Sequence, residues 1–291
     1  MHTVSADSPA KINLTLRVLA KRPDGYHEIE SLITQVDLCD TVTVSATGRA
    51  IRVTCDEPSI PTDESNLAHR AAQALLGPAT QAGIQIDLLK RIPAGAGLGG
   101  GSSNAATVLR LANDLLGSGF SVERLAEIGR RLGADIPLFL HGSPCIVRGV
   151  GDRIESLSRP IPGWVTIVMP PIHCDTQEIY EAWSACERVE KRPSAARLSS
   201  LYRTAGELMP RLYNDLEPAA VRVRPELAHL HEDLCKLAGA PVRMTGSGSA
   251  FFRLVDDEAD ARLLAEQVGR VLDIPVVTAA LRPRPPSDRC D

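Results

Sequence analysis

Between Pro93 and Ser103 the chain reads Pro-Ala-Gly-Ala-Gly-Leu-Gly-Gly-Gly-Ser-Ser, with five glycines among the seven residues from Gly95 to Gly101. Glycine leaves the backbone free to adopt positive φ and lets a ligand approach main-chain amides closely. The run continues into an apolar stretch with Ala105, Ala106, Val108, Leu109, Ala112, Leu115 and Leu116 at helical spacing, and Ser102 or Ser103 is the expected N-cap. A loop of this kind feeding a helix N-terminus offers unpaired N–H groups and partial positive charge to an anion, so it reads as a phosphate site. A flexible linker is the plainer alternative, but linkers seldom open a strongly apolar helix. The loop lacks the Gly-Lys-Ser/Thr of a Walker A sequence. Gly95, Gly97 and Gly100 do match G-x-G-x-x-G, yet Asp114, at the spacing of the ribose-binding acid, falls inside the predicted helix. Pro93 also separates the loop from the strand-like Ile84–Leu89, so the dinucleotide reading is weak.

Other positions have the residue types for acid–base chemistry. Lys11 and Asn13 alternate with Ile12, Leu14, Leu16 and Val18, which puts them on the polar face of a half-buried strand. By spacing alone Lys11 reads more readily as a solvated side chain than as a functional one. Asp135, in Gly133-Ala-Asp-Ile-Pro137, follows a helix stop, and by spacing alone it reads as an N-cap before it reads as a general base. Aromatic residues make up only 3% of the chain, so Tyr26, beside His27 and after the turn Arg22-Pro-Asp-Gly25, stands out. Tyr180 stands out too, although with Trp183 it also has the helical spacing of a core residue. Thr245-Gly-Ser-Gly-Ser249 is a tight turn between apolar strands, either a simple hairpin or a pocket wall. His229 and His231 flank Leu230 on a predicted helix and read as surface residues.

Five segments follow one another in a telling order. They are Pro9-Ala-Lys11-Ile-Asn13-Leu, Pro23-Asp-Gly-Tyr26-His27, the glycine loop with its Ser-Ser-Asn-Ala-Ala, Gly133-Ala-Asp135-Ile-Pro137, and Thr245-Gly-Ser-Gly-Ser-Ala250. Together they resemble the GHMP kinase superfamily (galacto-, homoserine, mevalonate and phosphomevalonate kinases) across roughly residues 8 to 255. The first motifs typical of galactokinases and homoserine kinases are missing; the resemblance is to the branch acting on a cytidine-diphosphate-linked methylerythritol. It implies an ATP-dependent transfer, with Mg2+, to the free 2-hydroxyl of that alcohol in non-mevalonate isoprenoid synthesis. It makes Asp135 the base facing the hydroxyl and Lys11 its charged partner within ~4 Å. It gives Pro93, Ala94, Gly95, Ala96, Gly97, Leu98, Gly99, Gly100, Gly101, Ser102 and Ser103 to the ATP phosphates, with Ser102 or Ser103 near the magnesium. Asn66 and Lys90 fall to the nucleoside of ATP, and Asn13, Tyr26, His27, Thr176 and Tyr180 to the substrate. Tyr26 and Tyr180 are expected to stack on cytosine, with His27 at its edge. The Thr245 turn would lie beneath the phosphates. No carboxylate ligand for magnesium follows from the resemblance, and Asn214-Asp-Leu-Glu217 is a family-like stretch without a chemical role.

Placing these residues requires two α+β domains. Strand-like Ile29–Val36 and Thr41–Ser45, helical Asn66–Leu76 and Ser121–Leu132, and a turn at Gly149–Asp152 make the first. After a linker at Arg159–Gly163 come the strand Trp164–Met169 and, from Leu227, a helix-strand-strand-helix-strand order that suits a ferredoxin-like layer. With the resemblance this becomes an ATP-binding domain over 1–157, a ferredoxin-like substrate domain over 158–282 and a proline-rich tail at 283–291. At 291 residues and 44% apolar content the chain is long enough for substantial cores. A net charge of −4 speaks against a nucleic-acid partner held by bulk attraction, and no apolar run reaches membrane-spanning length. Seven cysteines without C-x-x-C pairing, and a start with neither basic nor apolar leader character, point to the cytoplasm.

Overall fold

The structure, a computed structural model, describes residues 2–48, 50–77, 83–186 and 192–282, so the tail expected at 283–291 lies outside the described residues. The N-terminal half is organised around one long strand. In chain order it runs β1 (Thr3–Asn13), β2 (Thr15–Lys21), β3 (His27–Thr47), β4 (Arg52–Cys55), α1 (Leu67–Leu76), β5 (Gly83–Leu89) and α2 (Gly100–Leu115). Then follow α3 (Val122–Arg130), α4 (Ile136–His141), β6 (Cys145–Gly149) and β7 (Arg153–Ser156). β3 pairs antiparallel with β1, β2, β5 and β6. The two strands expected at Ile29–Val36 and Thr41–Ser45 are therefore one. The polar residues between them are absorbed by a register shift, Pro9 facing Cys39 while Ala10 faces Val36, and not by a break.

The strand expected through Lys11–Val18 is conversely interrupted. β1 ends at Asn13, whose N–H leaves the ladder to donate to the Thr245 hydroxyl at 2.9 Å. Helix α1 starts as expected, with the Asn66 side chain accepting from Ala68 N, and Ser121 caps α3 in the same way. α2 lays Ala105, Val108, Leu109 and Ala112 on Val42, Val44, Ile84 and Ile86 of the sheet. Each such Leu or Val contributes about 1.5–3 kcal/mol on burial, which anchors the helix behind the glycine loop.

The second half contains β8 (Trp164–Val168), α5 (Thr176–Trp183), α6 (Ala195–Leu201), α7 (Ala205–Leu208) and β9 (Tyr213–Asn214). It continues with α8 (Glu217–Val223), α9 (Glu226–Ala238), β10 (Arg243–Met244), β11 (Phe251–Val255), α10 (Glu258–Leu272) and β12 (Val276–Arg282). The order of helices and strands from α9 onward is the one read from the sequence. Strands lie in the order β10-β11-β8-β12, all antiparallel, the ferredoxin-like arrangement. β12 then pairs with β3, Leu281 opposite Val36 and Arg282 opposite Gln35, and Arg282 donates to Asp37 (2.9 Å) and Asp7 (3.2 Å). The two halves thus share a continuous sheet, and the glycine loop, β1 and α5 meet along their junction. No helix among the described residues is long and apolar enough to cross a membrane.

Candidate active site

The glycine loop closes onto α2 through Gly99, which caps the helix in the left-handed region (φ 74°, ψ 17°) with no side-chain cap bond. Neither Ser102 nor Ser103 is the N-cap; both lie inside the first turn, because a left-handed glycine starts the helix earlier than a serine cap would. Gly97 must be glycine for a second reason. Its φ is +74°, and a Cβ there would fall 2.7 Å from the Thr245 carbonyl and 2.9 Å from that of Gly248. Pro93 through Ser102 line a cavity of about 520 Å³. Ser103 does not: it is fully buried and its hydroxyl accepts from Ser8 Oγ at 2.8 Å. Of the two serines expected near a metal, Ser102 is the one on the cavity.

Asn66 and Lys90 also line that cavity, but each already has structural partners. Asn66 caps α1 and donates to the Pro61 carbonyl at 2.6 Å. Lys90 is ion-paired with buried Asp40 and donates to Asn104 Oδ1 at 3.0 Å. Asp40 also accepts from the N–H groups of Arg91 (2.7 Å) and Ile92 (2.9 Å) and from Asn104 Nδ2 (2.9 Å), which donates to Ser8 as well. This buried network braces the loop from behind. Asp40 carries no sequence signal; Ser8 and Asn104 do, since they flank the Pro-Ala-Lys and glycine motifs.

Lys11 and Asn13 are not on a solvated face. Each is only 5% exposed, because the Thr245 turn covers that side of β1. Lys11 Nζ donates to Asn13 Oδ1 at 2.6 Å. Burial pushes the Lys11 ammonium below the usual lysine range, and the nearby charge of Asp135 partly offsets that. Among the described residues Lys11 and Asp135 make no direct ion pair, so the expected ~4 Å contact is replaced by the bond to Asn13. Asp135 occupies the N-cap position of α4, yet its carboxylate makes no capping hydrogen bond. The half-buried carboxylate faces two cavities instead, the one lined by the glycine loop and a second of about 770 Å³.

The second cavity is lined by Lys21, Tyr26, His27, Thr176 and Tyr180, and it shares Asp135, Thr176 and Tyr180 with the first. The rings are arranged differently from expectation. His27 stacks on Tyr180 (centroids 5.1 Å apart, 26° between planes) and meets Trp183 edge-on. One face of Tyr180 is thus covered by His27, while Tyr26 stands 67% exposed on the rim. Burial raises the Tyr180 phenol well above its ordinary range, so it stays neutral. Asp175 caps α5 and fixes Thr176 at its first turn, where the Thr176 and Ser247 hydroxyls lie 3.0 Å apart.

The Thr245–Ser249 turn is more than a hairpin loop. Thr245 receives the Asn13 N–H, and Gly246 and Ser247 line the first cavity. Its support was missed in the sequence: Asn214 Nδ2 donates to the carbonyls of Met244 and Gly246. The signal was the otherwise unexplained Asn214–Glu217 stretch.

A glycine-lined cavity that shares a carboxylate with an aromatic cavity, on an α+β scaffold with a ferredoxin-like layer, is an architecture suited to a small-molecule kinase. The GHMP kinases N terminal domain family matches residues 66–143 and the GHMP kinases C terminal family residues 195–274, and the chain belongs to the GHMP kinase family. Within that family it stands with relatives named 4-diphosphocytidyl-2-C-methyl-D-erythritol kinase. One from Geobacter sp. (strain M21) is 42% identical over 90% of this chain and 92% of its own length. Another from Shouchella clausii is 37% identical over 88% and 86%. The crystal structure of a 4-(cytidine 5'-diphospho)-2C-methyl-D-erythritol kinase superposes with a TM-score of 0.79 at 34% identity, covering 95% of this chain and 98% of that one. A homoserine kinase from Cytophaga hutchinsonii shares the fold (TM-score 0.74) at 19% identity.

Proposed function

We propose that this chain transfers the γ-phosphoryl group of ATP to the free 2-hydroxyl of 4-diphosphocytidyl-2-C-methyl-D-erythritol, giving the 2-phosphate and ADP for isoprenoid precursor synthesis. The observation that carries the reading is the place of Asp135, on the wall shared by the anion cavity and the aromatic cavity. ATP lies with its phosphates along Gly95–Ser102 and its nucleoside toward Asn66 and Lys90. The cytidine end takes the cavity of Tyr26, His27 and Tyr180, with Thr176 on the wall common to both cavities and Asn13 on the first.

A carboxylate is too weak a base to ionise an alcohol in the ground state. Asp135 therefore accepts the hydroxyl proton late, as the oxygen bonds to phosphorus and the bond to ADP breaks in a loose transition state. Lys11 stabilises the charge on the moving phosphoryl group from within a dry site, where a fixed cation has most effect. Among the described residues no group of three His, Cys, Asp or Glu side chains could hold a metal ion. Ser102 and Asp135 nevertheless offer oxygens on the cavity, which fits Mg2+ carried by the ATP phosphates with few protein ligands. When bound, the ion screens the charge between the β- and γ-phosphates. We place the protein in the cytoplasm, where its six described cysteines, all unpaired, would stay reduced.

The test is ADP release with ATP, magnesium and the cytidine-linked alcohol, set beside mevalonate, homoserine and galactose, with phosphorus NMR locating the new phosphate. Turnover of the cytidine-linked alcohol alone, lost by ~10² or more in Asp135→Asn while ATP still binds, is the expected result. Turnover of another alcohol only would discard the substrate, and near-full activity of Asp135→Asn would discard the base.

A further inference from the structure

Asn214 touches neither cavity, yet it is buried (4% exposed) and every polar atom of its side chain is committed. Nδ2 donates to the carbonyls of Met244 at 2.9 Å and Gly246 at 2.8 Å, and Oδ1 accepts from Leu216 N at 2.9 Å. Its backbone is held to the strand that follows Lys11 and Asn13. Tyr213 and Asn214 pair in parallel with Thr15 and Leu16, and the next N–H, of Asp215, donates to the Leu16 carbonyl at 2.9 Å. Asp215 also accepts from Val18 N at 3.1 Å.

One of the carbonyls that Asn214 grips belongs to a residue packed against both the lysine and the glycine loop. A Cβ on Gly246 would lie 3.2 Å from the Gly97 carbonyl, 3.3 Å from Lys11 Nζ and 3.5 Å from Asn13 Oδ1. One turn therefore touches the ammonium, the phosphate loop and, through Ser247 and Thr176, the wall of the aromatic cavity.

We propose that Asn214 is a positioning residue for phosphoryl transfer: it fixes the Thr245–Gly248 turn and thereby sets Lys11 against Gly97 and Thr176. The inference rests on the phosphoryl-transfer reading above. The chemistry demands an amide, because two carbonyl oxygens need two donors from one group while the Leu216 N–H needs an acceptor. A carboxylate would set an acceptor against two acceptors, and an apolar residue would orphan all three. Misplacement of reacting groups by about 1 Å costs on the order of 10²-fold in rate.

Asn214→Ser supplies one donor in place of two and reaches less far. The expected result, measured well below its melting temperature, is a kcat lower by ~10- to 100-fold with the ATP KM within about threefold. Hydrogen exchange at Gly248 N–H and Ala250 N–H, which bond Thr245 O and Ala96 O, should accelerate at least ~10-fold while β8 amides keep their protection. Combination with Thr245→Val should add little further loss, since both act through one turn. Wild-type kcat with unchanged exchange, or losses that multiply in the double variant, would overturn the proposal. So would a lowered melting temperature with kcat per folded molecule intact. If Asn214→Ser does not fold, Gly246→Ala serves instead, and wild-type kcat in that variant would overturn it. If the wild type turns over no alcohol offered, the kinase reading fails by itself, while the exchange comparison still decides whether Asn214 holds the turn.

Discussion

Replacing Lys11 with methionine separates what this residue costs the fold from what it gives to turnover. The side chain is 5% exposed, and among the described residues its ammonium has one hydrogen-bond partner, Asn13 Oδ1. Burial lowers its pKa from the ordinary 10.5, with Asp135 only partly compensating, so the folded chain holds this proton less tightly than the unfolded chain. Between the lowered folded value and 10.5 the unfolded state binds more protons, and stability therefore rises with pH across that window. At neutral pH the lysine is a net cost. Methionine has nearly the same shape and removes the charge; replacing buried ionic groups entirely by apolar ones is often neutral or gains ~1–4 kcal/mol, and with no direct ion pair to Lys11 among the described residues the substitution leaves no broken pair behind. The single hydrogen bond lost by Asn13 returns ~1 kcal/mol of that. Lys11→Met should then be more stable than wild type at pH 7 by on the order of 1 kcal/mol, or about 2 °C in Tm. The advantage should shrink steadily as pH approaches 10.5, where Lys11 is neutral in both states. Turnover should fall by ~10² or more, the scale for removing one preorganised donor to developing charge. Urea titrations at several pH values, with kcat at pH 7, are the assay. A variant less stable than wild type at pH 7, or a stability difference that does not change with pH, would refute the reasoning.

Tyr180→Ala should raise the KM for the cytidine-linked alcohol about 10-fold or more, since stacking contributes ~1–3 kcal/mol per base, and leave the ATP KM unchanged. A change confined to ATP would put the cytosine elsewhere. Gly97→Ala forces a left-handed alanine, costing ~1–2 kcal/mol, and a Cβ 2.7 Å from the Thr245 carbonyl. Its ATP KM should rise more than ~10-fold through displacement of the loop, and steady-state kinetics with wild-type ATP dependence would contradict this. Asp40→Ala leaves the Lys90 ammonium buried and unpaired, a loss of about 3–5 kcal/mol in urea denaturation. Adding Lys90→Met should recover most of that loss, and a double variant no more stable than the single one would be inconsistent with the network.

The glycine loop, α2 behind it and the ferredoxin-like layer were legible because each rests on local pattern: glycine density, helical spacing and strand alternation. The exact start of α2 was not, since Gly99 in the left-handed region outcompetes the serines that propensity favours. β3 was read as two strands because local polarity interrupts it, whereas pairing with β1 on one side and β5 and β6 on the other carries it across the interruption. The burial of Lys11 and Asn13 depends on Thr245, 232 residues away from Asn13 in sequence, and no periodicity in β1 reports that. Asp40 and Asn214 are tertiary in the same sense: their roles are defined by which carbonyls and N–H groups the fold delivers to them. The stacking of His27 on Tyr180 likewise joins β3 to α5.

β12 lies between β8 and β3, so the last described strand is the one that sutures the two halves. While the chain is being made, β3 can recruit β1, β2, β5 and β6 early, but β8 must wait for Val276–Arg282 before its second edge is covered. The strands around β3 can therefore pair during synthesis, whereas this edge of β8 is covered only once the last described strand has been made. A nascent or shortened chain lacking those few residues would expose an open strand edge on β8, a surface prone to pairing with neighbouring chains.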